Sequence, residues 1–121
     1  MKKILIVEDD RKIAMTLALR LRTSGYEVSI AYDALSGLNT AVKLRPDLVL
    51  LDISMPAGDG FSVAERIQSL VPSFTPFIFL TASKRSEFRQ KAGELGAAAF
   101  FEKPYDAKEL LATINKTLGG P

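Results

Sequence analysis

Short apolar runs alternate along this chain with stretches whose apolar residues recur every three or four positions. Lys3–Val7 (KILIV) is continuous, β-branched and stopped by three acids, so it reads as a buried strand. Arg11–Arg22 is helical: Ile13, Leu17 and Leu21 recur at i+4, Ala14 and Ala18 share their face, and Gly25 stands where a helix-ending glycine is expected. Glu27–Ala31 is a second strand. Asp33 can cap a helix through Ala34, Leu38, Ala41 and Val42, which ends before Pro46. Leu48–Leu51 is the most apolar strand, with Asp52 directly after it, and Pro56, Gly58 and Gly60 mark a loop.

A helix from about Phe61 to Leu70 turns Val63, Ala64 and Ile67 inward. Pro72 and Pro76 bracket a loop before the strand Phe77–Leu80, which ends at Thr81. A less apolar helix, Arg85–Leu95, turns Phe88, Ala92 and Leu95 inward. Ala98–Phe101 is a fifth, alanine-rich strand. Asp106, with Glu109 three residues on, has the pattern of a capping box opening a last helix, whose inward face is Leu110, Leu111, Ile114 and Leu118. Strict alternation of five strands and five helices predicts an α/β fold, a single doubly wound (βα)5 domain with a parallel sheet covered on both faces. The expected domain is residues 1–118, with Gly119-Gly120-Pro121 as a linker-like tail.

The length of 121 residues fits one domain. Cysteine and histidine are both absent. There is therefore no disulfide, no thiol nucleophile, no Ser-His-Asp triad and no Cys- or His-ligated metal, and any metal must take oxygen ligands. The net charge of +2 comes from scattered basic residues, which argues against direct nucleic-acid binding. No apolar stretch approaches the roughly 20 residues of a membrane span, and the expectation is a cytoplasmic protein without a membrane role.

In a parallel sheet all strand C-termini share one rim, and ligands bind there. Glu8, Asp9 and Asp10 follow strand one, Asp52 follows strand three, Thr81 ends strand four, and Lys103-Pro104 follows strand five. Crowded carboxylates repel one another unless a divalent cation lies among them, and magnesium suits such a site. Lys103 and Thr81 fit a tetrahedral dianion beside the metal, and Asp52 can then be a carboxylate nucleophile giving an aspartyl phosphate. Asp10 reads as a helix cap rather than a ligand.

At these residues the sequence resembles the receiver domains of two-component response regulators. The resemblance rests on Lys3–Asp10 (KILIVEDD), Leu50–Gly60 (LLDISMPAGDG), Phe79–Ser83 (FLTAS) and Phe100–Tyr105 (FFEKPY), in order, over about residues 2–118. It implies the flavodoxin-like strand order 2-1-3-4-5. It also implies that Asp52 accepts a phosphoryl group from a sensor histidine kinase or a histidine phosphotransfer protein. Glu8, Asp9, Asp52 and the backbone carbonyl of Ser54 would hold Mg2+, or Mn2+ in its place. Lys103 would pair with the phosphoryl group and Asp52, Thr81 would hydrogen-bond that group, and Pro104 would follow a cis peptide bond. Phe100 would be the switch aromatic, remodelling the face of the fourth helix, fifth strand and fifth helix.

On that resemblance the chain is a signalling switch rather than an enzyme. It would act on a downstream protein target or on an output domain outside this chain, as a monomer or a weak phosphorylation-dependent dimer. Phe100 stands where the family often has tyrosine, Ala97-Ala98-Ala99 lacks the acids of the winged-helix transcription-factor subfamily, and Thr113 replaces a frequent arginine there. The last two departures speak against that subfamily's ion-paired dimer. Ser54 and Ser83 occupy the positions that tune dephosphorylation. Phe100, Phe101 and Tyr105 crowd near the switch face and could anchor a partner, with Phe101 turned toward the core by strand alternation. Three other readings compete. A haloacid-dehalogenase-type phosphatase wants an acid where Ser54 stands. A flavodoxin-like cofactor binder wants a phosphate-cradling loop where Glu8-Asp9-Asp10 stands. A degenerate receiver would serve as a phosphorylation-independent docking module.

Overall fold

The computed structural model describes residues 1–54, 60–72, 74–83 and 86–121. Five strands alternate with five helices: β1 (Lys3–Val7), α1 (Arg11–Thr23), β2 (Glu27–Ala31), α2 (Ala34–Leu44), β3 (Leu48–Asp52), α3 (Gly60–Leu70), β4 (Phe77–Thr81), α4 (Ser86–Glu94), β5 (Ala99–Glu102) and α5 (Ala107–Leu118). The strands form one parallel sheet in the order β2-β1-β3-β4-β5, as the resemblance implied.

Alternation along each strand divides the core in two. Ile4, Ile6, Leu48, Leu50, Ile78 and Leu80 face α1 and α5, meeting Ala14, Leu17, Ala18, Leu21, Leu110 and Ile114. Leu5, Val7, Val49, Leu51, Phe77 and Phe79 face the other way, onto α2, α3 and α4 through Leu38, Ala41, Phe61, Ala64, Ile67 and Ala92. The central strands β3 and β4 are buried at every position, which is why they read as unbroken apolar runs.

Aspartates open three of the helices. Asp10 accepts from Ile13 N, Asp33 from Ser36 N and Asp106 from Lys108 N. The capping box expected at Asp106 is thus a simpler cap: its bond goes to Lys108 N, one residue short of Glu109. β5 begins one residue later than the composition suggested, and Glu102 belongs to it through its pairing with Thr81. Val42 of α2 is exposed, and Ile13 of α1 is only partly covered. The helix expected to begin at Arg85 begins at Ser86 in the described residues, and the loop expected at Pro56 and Gly58 lies outside them.

Gly119 caps α5 in the left-handed conformation, Gly120 N donates to Asn115 O at 2.9 Å, and Pro121 lies beside Gly25 in the α1–β2 turn. None of the described helices is long and apolar enough to cross a membrane.

Candidate functional site: an acidic pocket with one lysine

The strand order reverses between β1 and β3, so their C-terminal ends flank the crevice where an open α/β sheet accepts ligands. β1 delivers Glu8 and Asp9 to this crevice and β3 delivers Asp52. The three carboxylates offer ligand atoms lying within 4.8 Å of one another. Glu8 and Asp52 are buried and Asp9 is exposed at the mouth. Buried polar groups need partners, and here each has them. Lys103, after β5, places Nζ 2.7 Å from Glu8 Oε1 and 3.1 Å from Asp52 Oδ2. The Lys103–Pro104 peptide is cis, and Lys103 N donates to Thr81 O at 2.7 Å.

Asp52 Oδ1 takes two further bonds, from Ser54 N at 2.9 Å and Ser54 Oγ at 2.6 Å. The bond from the Ser54 hydroxyl to Asp52 is a contact that the sequence reading does not include. The spacing Asp-x-Ser, in which a carboxylate meets the backbone and hydroxyl two residues on, is the local signal that could have found it. The Glu8–Lys103 pair had no such signal, because the residues are 95 positions apart. Thr81 is fully buried at the end of β4, and its Oγ1 accepts from Ser83 N at 3.0 Å. Phe100 packs on the α2-α3-α4 side of the sheet, while Phe101 packs with Tyr105 on the α1-α5 side, so alternation separates the two aromatics.

The electrostatics follow from burial and pairing. Burial, and then the proton shared with Asp52, push the Glu8 carboxyl up to about 8. For Asp52 burial acts upward too. The bonds from Glu8 and Ser54 and the Lys103 charge outweigh it and hold the carboxyl below its ordinary value. Burial acts to lower Lys103, but Glu8 and Asp52 together raise it. One proton and one ammonium thus neutralise two buried carboxylates. A hard divalent cation would satisfy the same charges with oxygen ligands, so the donor set of Glu8, Asp9 and Asp52 fits magnesium or manganese.

A pH dependence follows for the metal-free protein. The folded chain keeps a proton on Glu8 up to about pH 8, whereas the unfolded chain releases it near 4.5. A group raised in this way stabilises the fold fully below the lower value and loses that contribution as pH rises toward the upper one. Stability in chelator should therefore fall between about pH 5 and pH 8, by up to about 1.4 kcal/mol per unit. Urea unfolding across this range should show the slope, and saturating magnesium or Glu8→Gln should flatten it. A level profile in chelator would refute the shared proton.

Comparison with known proteins accounts for this arrangement. A family model for the response regulator receiver domain matches residues 4–115. The DNA-binding dual master transcriptional regulator RpaA of Synechocystis sp. is 34% identical over 119 residues, covering 98% of this chain and 49% of that protein. The transcriptional regulatory protein DltR of Streptococcus agalactiae is 39% identical over 112 residues, covering 93% of this chain and 50% of that protein. The chain spans about half the length of these curated relatives. A CheY-like response regulator receiver domain protein from Methanospirillum hungatei superposes with a TM-score of 0.92 at 32% identity, over 98% of this chain and 94% of that one. Sheet order, pocket and sequence agree, and the chain belongs to the receiver domain family of two-component response regulators.

Proposed function

We propose that Asp52 is the phosphoacceptor of a phosphorylation-controlled switch that draws its phosphoryl group from a histidine kinase or a histidine phosphotransfer protein. The observation that carries this reading is the environment of Asp52. It is a buried carboxylate kept ionised by Ser54 and Lys103, with two further acids at its side. A structural aspartate at a strand end needs neither a half-buried lysine nor an acidic neighbour.

In the transfer, one Asp52 oxygen forms the new O–P bond while the P–N bond of the donor phosphoimidazole breaks. The electron pair stays on the departing nitrogen. Lys103, already at Asp52 Oδ2, stands where charge on the phosphoryl oxygens can be balanced. Thr81, one residue beyond the Asp52–Leu80 pairing level, can turn its hydroxyl to the same group. Glu8, Asp9, Asp52 and the Ser54 carbonyl would hold the magnesium ion, which when bound neutralises charge on the transferring group. The new dianion then favours whichever conformer brings Thr81 and Lys103 closest, with Phe100 on β5 responding and the α4–β5–α5 face presented to a target or an output domain.

Incubation with acetyl phosphate tests this reading by intact mass. One phosphoryl group should be gained with magnesium, none in chelator, and none in Asp52→Asn. Absence of the adduct under all conditions would favour a phosphorylation-independent docking module instead.

A further inference from the structure

One side chain closes the outer edge of the seam between α4 and β5. The guanidinium carbon of Arg89, on α4, lies 4.8 Å from the centroid of the Phe100 ring. One of its nitrogens lies 3.5 Å from Glu102 Oε1. Phe100 and Glu102 are two residues apart on β5 and so project from the same face of the sheet, toward α4. A single guanidinium thus spans two consecutive positions of that face, over a ring and against a carboxylate.

Ala92 is the one fully buried residue of α4 among those described. Phe88 meets Phe61 edge-on at 5.5 Å, and Gln68 of α3 reaches the carbonyl of Leu95 just beyond the helix. Both sides of the seam lead directly into the acidic pocket. Thr81 continues through Ala82 and Ser83 toward α4, and Glu102 is followed by Lys103, whose N–H is bonded to Thr81 O.

We infer that Arg89 is a positioning residue for the switch, a latch that holds α4 on β5 in the unphosphorylated conformer and so opposes occupancy of the phosphoryl site. The inference rests on the reading of Asp52 given above. A phosphoryl group on Asp52 competes for Lys103 Nζ, which now serves Glu8 and Asp52, and draws the O–H of Thr81, whose oxygen now accepts from Ser83 N. Displacing either residue moves one side of the seam relative to the other, and the contacts of Arg89 with β5 resist that. By linkage, a contact that favours the empty conformer weakens binding of the phosphoryl group, and removing it strengthens binding by the same factor.

The test is a calorimetric titration of the full chain with beryllofluoride in saturating magnesium, for the unsubstituted protein, Arg89→Met, Arg89→Lys and Glu102→Gln. Methionine keeps an apolar stem over Phe100 and removes the charge. Exposed ion pairs and cation–π contacts are individually weak, so Arg89→Met is expected to bind about fivefold more tightly. Glu102→Gln should give a smaller gain, and Arg89→Lys should fall between. Arg89 is largely exposed and glutamine keeps the shape of the half-buried Glu102, so these variants keep their fold. A merely structural role would loosen α4 without raising affinity. Equal affinity in every variant, or weaker binding by Arg89→Met, would overturn the latch while leaving the phosphoacceptor reading intact. Failure of the unsubstituted chain to bind beryllofluoride is a different result, removing that reading and the latch with it.

Discussion

Lys103→Met is expected to slow phosphoryl transfer to Asp52 by about two orders of magnitude and to destabilise the metal-free protein by about 3 kcal/mol. Both effects come from the same two contacts. Lys103 Nζ touches Glu8 Oε1 and Asp52 Oδ2, and all three side chains are largely buried. Removing one partner of a buried ion pair costs far more than the pair itself contributes, because the remaining charge is left uncompensated. Here Asp52 would be left charged beside a Glu8 that holds the one proton.

The stability deficit should shrink in two ways that a packing defect would not. Lowering the pH toward about 5 supplies protons to the carboxylates, and the proton already favoured on Glu8 shows that the pocket accepts them. Adding magnesium supplies a cation in place of the ammonium. Urea unfolding of the variant in chelator and in magnesium, at both ends of this pH range, separates the cases. A deficit that neither proton nor metal reduces would mean that Lys103 acts through the packing of its stem. The transfer rate is read from the time course of the acetyl phosphate adduct. It should remain slow in magnesium, since a metal on the acids does not restore the charge that Lys103 places at Asp52 Oδ2.

What could be read from the sequence was whatever depends on near neighbours. The unbroken apolar runs of β3 and β4 follow from burial on both faces, and Asp10, Asp33 and Asp106 announce their helices because a cap bonds within three residues. The rim residues could be gathered into one pocket because parallel topology alone places strand ends together. Contacts across elements left no such trace. Nothing near Glu8 indicates that Lys103 will bond it, and nothing in the charged helix α4 distinguishes Arg89 from its exposed neighbours. Gly119 ends α5 in the left-handed conformation, which glycine adopts without strain. Arg45 takes the same left-handed conformation at the end of α2 without being glycine, at φ 50°, where composition gave no warning.

Gly60→Ala is expected to destabilise the protein by about 3 kcal/mol or more and to disturb the acidic pocket along with the fold. Gly60 opens α3 and lies directly against β3's exit. A Cβ there would stand 2.2 Å from Ile53 Cα and 2.7 Å from both Ile53 Cβ and Ile53 O. Backbone atoms cannot step aside as a flexible side-chain end can, so either α3 or residue 53 must move. Ile53 is fixed by its N–H to Leu80 O at 2.9 Å and sits between Asp52 and Ser54, whose mutual bonds shape the proposed acceptor. α3 carries Phe61, Val63, Ala64 and Ile67 into the core, so moving it opens packing instead. Gly93→Ala is the matched control. Gly93 is an exposed residue of α4 with nothing within 4 Å of an added Cβ. Alanine there should stabilise the fold by roughly 0.5–1 kcal/mol through helix propensity alone. Denaturant midpoints of the two variants should therefore move in opposite directions, and only Gly60→Ala should lose acetyl phosphate labelling in the fraction that remains folded. A tolerated Gly60→Ala would mean that α3 packs farther from Ile53 than its close approach here requires.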